Sequence, residues 1–253
     1  MKTYRHSGTL GDLIYSLSIV KKMEPGNFMV ALHNIENCVS QYGYRPDEVD
    51  PAHKGRFTDQ DYEWLKPLLF RQSYIKQVDT WQQGDAEPDV DLDQFRGTLF
   101  RGFEGNYVQA YHLAFDLAFK MQDYDMPWLE TDPVNVAPIV VSRTFRYRDP
   151  NGDAIWCDVV KDVDLQNSAI FVGTKDEHED FQQVVDAQIP YYPVTDFLQL
   201  ANVVAAADMV MANQNFVYSL AMGTGVSTVL ETIKIKPLQN NECFFPRKNC
   251  QYF

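Results

Sequence analysis

The chain has 253 residues, 45% of them hydrophobic, which suits one large α/β domain or two small ones and excludes a disordered chain. With 22 basic against 35 acidic residues the net charge is −13, which repels a nucleic-acid backbone unless the basic residues gather on one face. Apolar runs such as Phe197 to Met211 are interrupted by Gln199, Asn202 and Asp208, and Met1 leads directly into a strand-like segment, so the expectation is a cytoplasmic protein with no membrane span and no signal peptide.

Residues 2–7 read as a strand, Ser7 to Gly11 as a glycine-containing turn, and Asp12 to Lys22 as a helix with Leu13, Leu17 and Val20 on one stripe. Phe28 to His33 reads as the next strand. Asn34 to Tyr62, broken by Pro46, Pro51 and Gly55, reads as loop. Helices are expected over 61–71 and 106–122, the second through Tyr107, Tyr111, Phe115, Ala118 and Phe119. Asp123 to Pro138, with Pro127, Pro133 and Pro138, reads as a linker. Beyond it, strands at Ile139–Ser142, Ala169–Gly173, within Ala205–Asn213, and at Val226–Leu230 alternate with helices at 176–187, 196–207 and 215–222. Such alternation predicts a parallel sheet covered by helices on both faces, with ligands beyond the carboxyl ends of the strands. The chemistry is therefore expected at residues 7–12, 142–148, 173–177 and 213–219.

In Ser7-Gly8-Thr9-Leu10-Gly11-Asp12, two glycines before a helix bring backbone N–H groups close to a ligand. The stretch lacks the Gly-Lys-Ser/Thr ending of a phosphate cradle and the full dinucleotide fingerprint, so it supports neither an ATPase nor a nicotinamide enzyme. Asp12 has two readings. It can cap the helix, or it can take a proton from an incoming hydroxyl.

Gly8 to Leu17 resembles the N-terminal Gly-Asp motif of the heptosyltransferase-like glycosyltransferases, with Ser18 where that family usually has proline. The resemblance implies a GT-B-like α/β fold, two Rossmann-like halves with a ligand cleft between them. It nominates Asp12 as catalytic base, with Gly8, Thr9 and Gly11 as an acceptor-side loop. Leu198 to Val229 is similar to the family's donor-site unit, in which an Ala-Asp strand leads through a polar loop to a helix beside the diphosphate. The resemblance assigns the loop to Asn213, Gln214 and Asn215, and places the N–H groups before Tyr218 and Ser219 against the phosphates. Ile170 to Glu177 resembles the family's strand and turn near the nucleoside, so Gly173, Thr174 and Glu177 are implied donor contacts, although Glu177 also fits a solvated acid at a helix start. In Ser142-Arg143-Thr144-Phe145-Arg146-Tyr147-Arg148 the family places hydroxyl and basic residues against the donor diphosphate, which nominates Ser142 and Arg143, with Arg148 expected to pair with Asp149.

Other chemistries find less support. Asp89-Val90-Asp91-Leu92-Asp93 contains an Asp-x-Asp that could hold a divalent cation, but after Gly84, Asp85, Glu87 and Pro88 it reads as an exposed acidic loop, and Asp162-Val163-Asp164 is weaker. His6, His33, His53, His112 and His178 have no metal-ligand spacing. No Gly-x-Ser-x-Gly elbow is present. Cys38, Cys157, Cys243 and Cys250 read as reduced thiols, with Cys243 and Cys250 able to meet.

The expected function is transfer of a sugar from a nucleotide-diphosphate-sugar to a hydroxyl acceptor, with no cofactor and no metal site. Residues 1–130 form the acceptor-side domain, 135–235 the donor domain, and 236–253 a tail packing back toward the first. The alternatives are a phage-type enzyme acting on a hydroxymethylated DNA base, a nucleotide-sugar binding protein without turnover, and an inactive interaction module.

Overall fold

The structure, a computed structural model, describes residues 1–32, 57–82, 84–99, 103–233 and 243–253. His33, Cys38, His53, most of the 34–62 loop reading and residues 236–242 of the tail lie outside the described residues. The chain divides into two units. One comprises Met1–Asp123, Trp128–Glu130 and Asp196–Leu198, the other Tyr124–Pro127, Thr131–Thr195 and Gln199–Phe253.

The first unit is built on four parallel strands, β1 (Lys2–His6), β2 (Gly26–Ala31), β3 (Ile75–Trp81) and β4 (Val90–Asp91), in the order β3-β2-β1-β4. Tyr4, Phe28 and Val78 share one register and are buried. Strand β3 escapes a sequence reading because its buried residues, Ile75, Val78 and Trp81, recur every third position. Alternation, the usual strand signal, is absent there. Helix α1 (Leu10–Val20) is buried from Asp12 to Val20, well beyond a single stripe. Its interior hydroxyls are satisfied locally, Ser16 Oγ donating to the Leu13 carbonyl and Ser18 Oγ to that of Tyr15, while Trp128 Nε1 donates to the Ile14 carbonyl. Helix α2 (Asp59–Phe70) starts at a capping box of Thr58 and Asp61. Helix α3 (Phe95–Leu99) follows β4, and helix α4 (Tyr107–Ala114) replaces the longer helix expected over 106–122. It stops early because the backbone turns left-handed at Asp116, with φ +52°.

The second unit carries β5 (Ile139–Ser142), β6 (Ala169–Phe171), β7 (Met209–Asn213), β8 (Ser227–Glu231) and β9 (Cys250–Tyr252), all parallel, in the order β6-β5-β7-β8-β9. Its helices are α5 (Gly152–Val160), α6 (Leu165–Ser168), α7 (Lys175–Val185), α8 (Phe197–Ala206, whose first two residues group with the first unit) and α9 (Phe216–Thr224). On one face Val141, Phe171, Met211 and Val229 pack with Trp156 and Val160 of α5 and Phe181 of α7. Val140 and Val210, one residue out of step, are fully buried on the other face. Both faces are thus covered, as a parallel sheet requires.

Of the tail, Cys250–Tyr252 extends the second sheet beside β8, and Phe253 packs on that unit's core. The physical reason is hydrogen bonding: β8 would otherwise leave an unpaired edge, and the tail's backbone satisfies it. Cys157, Cys243 and Cys250 are free thiols.

Candidate functional site

Ligands in open parallel sheets bind where the strand order reverses, beyond the carboxyl ends of the strands. In the first unit that point lies between β1 and β4, and in the second between β5 and β7.

At the first switch point β1 runs through Ser7 and Gly8 into α1. Thr9 is the cap of that helix, its hydroxyl accepting from the Asp12 N–H, so Asp12 is not the cap and Gly11 lies inside the helix, not in a turn. The Asp12 carboxylate, in the first turn of α1, faces the positive end of the helix dipole. Its Oδ2 accepts from Arg96 of α3 at 2.9 Å. Its Oδ1 has no hydrogen-bond partner among the described residues, and a tenth of the Asp12 side-chain surface remains exposed.

Arg96 is held in turn by Asp93, 3.5 Å from its Nε. Asp93 is fully buried and accepts from both the backbone N–H and the hydroxyl of Ser7. Burial works against the charge of Arg96, but Asp12 and Asp93 outweigh it and raise its pKa. Gly8 makes this arrangement possible. A Cβ there would lie 1.9 Å from Arg96 Nη2 and 2.7 Å from His6 Cε1.

A relay of neutral hydrogen bonds fixes the backbone under Asp12. The Gly8 N–H donates to His6 Nδ1 at 3.0 Å, which leaves Nε2 as the protonated nitrogen. That nitrogen meets the Tyr111 hydroxyl at 2.8 Å, and the hydroxyl donates to the Asp12 carbonyl at 3.0 Å. Burial, reinforced by the Arg96 charge, lowers the His6 pKa to about 3, so the ring stays neutral. Burial and the neighbouring Asp12 likewise keep the Tyr111 phenol protonated.

From Val90 onward the acidic segment is therefore no exposed loop, while Asp89 itself is exposed. Asp89 accepts from Thr3 N and Oγ1, Asp91 pairs with Arg5 at 2.7 Å, and Asp93 holds Ser7 and Arg96. Every second residue is an aspartate facing β1, a period-two signal that a two-residue strand is too short to make convincing.

At the second switch point Asn213 and Asn215 organise the loops. Asn213 is fully buried; its Oδ1 accepts from the Thr144 N–H, and its Nδ2 donates to the Thr144 and Arg146 carbonyls. Asn215 caps α9 by accepting from the Tyr218 N–H, and its Nδ2 donates to the carbonyl and hydroxyl of Ser142. Ser142, Thr144, Asn213, Gln214 and Asn215 are thus brought together. Gly173 follows β6 at φ +153°, a conformation that favours glycine, and Thr174 and Glu177 form a reciprocal capping box at the start of α7.

Three sequence assignments give way here. Arg143 is fully buried: its Nε and Nη2 donate to Glu231 at 2.7 and 3.0 Å and its Nη1 to Asp153 at 2.6 Å, which commits the guanidinium to two carboxylates and turns it away from a phosphate. Glu231, unnoticed in the sequence, also accepts from Trp156 Nε1 and Asp149 N, so the arginine points into the core to neutralise it. Ser219 is fully buried with its hydroxyl donating to the Phe216 carbonyl and its N–H to the Asn215 carbonyl, which removes its side chain from the donor contacts. Arg148 pairs with Asp180 at 2.7 Å, not with Asp149.

The loop's remaining cation is Arg146, exposed above the Tyr147 ring with no carboxylate partner among the described residues. Tyr147 holds φ +54°, and the Asn213 clamp sustains that strained turn. Near the C-terminus Arg247 donates to the Met222 and Gly225 carbonyls at the end of α9. No group of three or more metal-ligating side chains occurs among the described residues, and none of their helices is long and apolar enough to cross a membrane.

No protein-family model and no curated protein matches the chain. Solved structures do. A glycosyl transferase family 9 protein from Veillonella parvula aligns over 99% of this chain and 84% of its own, at 11% identity and TM-score 0.59. The ADP-heptose LPS heptosyltransferase II of E. coli aligns over 100% and 90%, at 12% identity and TM-score 0.55. The E. coli heptosyltransferase WaaC, determined with ADP, aligns over 99% and 92%, at 12% identity and TM-score 0.50. At such identities the likeness is one of fold: two parallel α/β units of the GT-B-like kind.

Proposed function

We propose that this chain is a glycosyltransferase that moves a sugar from a nucleotide-diphosphate-sugar to a hydroxyl acceptor, with Asp12 as the general base. The observation that carries the reading is a carboxylate at a sheet switch point with one oxygen held by an arginine and the other uncommitted. In the reaction Asp12 Oδ1 takes the acceptor's hydroxyl proton, the acceptor oxygen bonds to the anomeric carbon, and the bond from that carbon to the diphosphate oxygen breaks with its electron pair leaving on the nucleotide. The ordered loops around Ser142, Gly173, Thr174 and Asn213 to Asn215 receive the donor, and Arg146 replaces Arg143 as the cation that stabilises the leaving diphosphate. Glu177 keeps its helix-capping duty and borders the nucleoside.

An ADP-linked heptose is the first donor to try, because the fold likeness includes an ADP-heptose-using enzyme. A net charge of −13 argues for a glycan, lipid or other small acceptor over duplex DNA. The test is Asp12→Asn, with ADP binding followed by thermal shift and transfer followed by ADP release. Binding should persist while transfer falls by roughly 10²-fold or more. Full turnover in the variant would remove Asp12 as the base.

A further inference from the structure

Arg96 comes from a segment of no motif, 84 residues beyond Asp12, yet the fold lays it directly over Gly8 and against Asp12 Oδ2 at 2.9 Å. Its guanidinium is anchored on its far side by Asp93, and Asp93 is anchored by Ser7 at the end of β1. Its Cζ also lies 4.7 Å from the Phe95 ring centroid. Such an arginine, with only 14% of its side-chain surface exposed, has one orientation available and imposes it on its partner.

We propose that Arg96 is the positioning residue for the base: it occupies Asp12 Oδ2, so that Oδ1 alone is presented to the acceptor hydroxyl, and Gly8 is glycine to admit it. The inference rests on the glycosyltransferase reading and adds the residue that makes the carboxylate directional. During transfer the proton passes from the acceptor oxygen to Oδ1, so Arg96 neither gains nor loses one. Its positive charge balances the carboxylate before the step and stays behind after it, beside a neutral acid. A positioning arginine therefore acts on kcat and leaves donor KM unchanged, since the donor contacts are assigned to the second unit.

Gly8→Ala separates position from charge. The added methyl group meets the flexible end of Arg96 first, so the side chain is displaced from Asp12 while both charges remain. The experiment uses the full chain with a panel of ADP-, UDP- and GDP-linked sugars, reading nucleotide release with water as acceptor. Water then loses its proton to Asp12 and its oxygen bonds to the anomeric carbon as the diphosphate departs. Arg96→Ala, Arg96→Lys, Gly8→Ala, the Gly8→Ala/Arg96→Ala double variant and Asp12→Asn are compared on the sugar that the wild type turns over, with melting temperatures alongside.

Arg96→Ala should lower kcat about tenfold or more, the range for loss of a charge-assisted hydrogen bond, with donor KM within about twofold. Arg96→Lys and added guanidinium should restore part of the loss. Gly8→Ala should reproduce it, and the double variant should be no worse than Arg96→Ala, because both act through one contact. Equal kcat in wild type and folded Arg96→Ala, or losses that multiply in the double variant, would overturn the positioning role while leaving Asp12 as base. An active Asp12→Asn, or a wild type that turns over none of the panel, would overturn the reading beneath it.

Discussion

Arg143→Ala distinguishes most sharply between a motif-based and a structure-based account of the second unit. Were Arg143 a donor ligand, the variant would fold normally and bind nucleotide diphosphate more weakly. The structure predicts the reverse. Glu231 is fully enclosed and accepts four donors: Arg143 Nε at 2.7 Å, Arg143 Nη2 at 3.0 Å, Trp156 Nε1 at 2.7 Å and Asp149 N at 3.1 Å. Truncation removes two of them together with the only cation that pairs with Glu231 among the described residues. A buried charge left without its partner costs about 3–5 kcal/mol. The contact to Asp153, whose side chain is 64% exposed, adds little because solvent screens it. For a chain of this length about 2–4 °C accompanies each kcal/mol, so the melting temperature should fall by roughly 6–20 °C. Urea unfolding followed by tryptophan fluorescence measures the loss directly, since Trp156 itself touches Glu231. The double variant Arg143→Met/Glu231→Gln should recover at least half of it, because no unpaired charge remains. ADP affinity, measured by calorimetry on folded protein well below the transition, should be unchanged in both variants. A stable Arg143→Ala protein with weakened ADP binding would refute the argument.

Arg146→Ala should show the complementary pattern, an unchanged melting temperature with ADP affinity reduced by about 1.5–3 kcal/mol in the same calorimetry, the value of one charged hydrogen bond. His6 should make the protein acid-sensitive: its pKa is about 3 when folded and 6.5 when free, so the unfolded chain binds the extra proton between those values. Stability is then fully present above pH 6.5 and is lost as pH falls toward 3, at about 1.4 kcal/mol per unit, or roughly 2 kcal/mol at pH 5. Nitrogen NMR should find the His6 ring in the Nε2–H form without titration down to pH 4, and a ring that titrates near 6.5 would contradict the relay.

The pattern of strands and helices was legible in the second half because strands buried on both faces read as continuous apolar runs, as in Ile139–Ser142 and Met209–Asn213. The turn through Ser7 and Gly8 into α1 and the Asn-Gln-Asn loop were equally legible, because a chain that changes direction at a strand end needs particular residues in sequence order. Asp12 itself stood out on those local grounds. What surrounds Asp12 was not legible. Arg96 and Tyr111 meet it, with Asp93 behind Arg96, only because β4 docks beside β1 and α4 supplies a phenol to the Asp12 carbonyl, pairings of residues 84 and 99 positions apart that leave no periodic trace. The same distance effect misled the assignment of Arg143. Proximity to a strand end placed it correctly in the chain, but the direction of its side chain was decided 88 residues later by Glu231, a buried charge that demanded a partner. Local sequence determined where the backbone turns. Tertiary structure decided which charges those turns would face, because in a low-dielectric interior a charge is fixed by its partner and not by its neighbours along the chain.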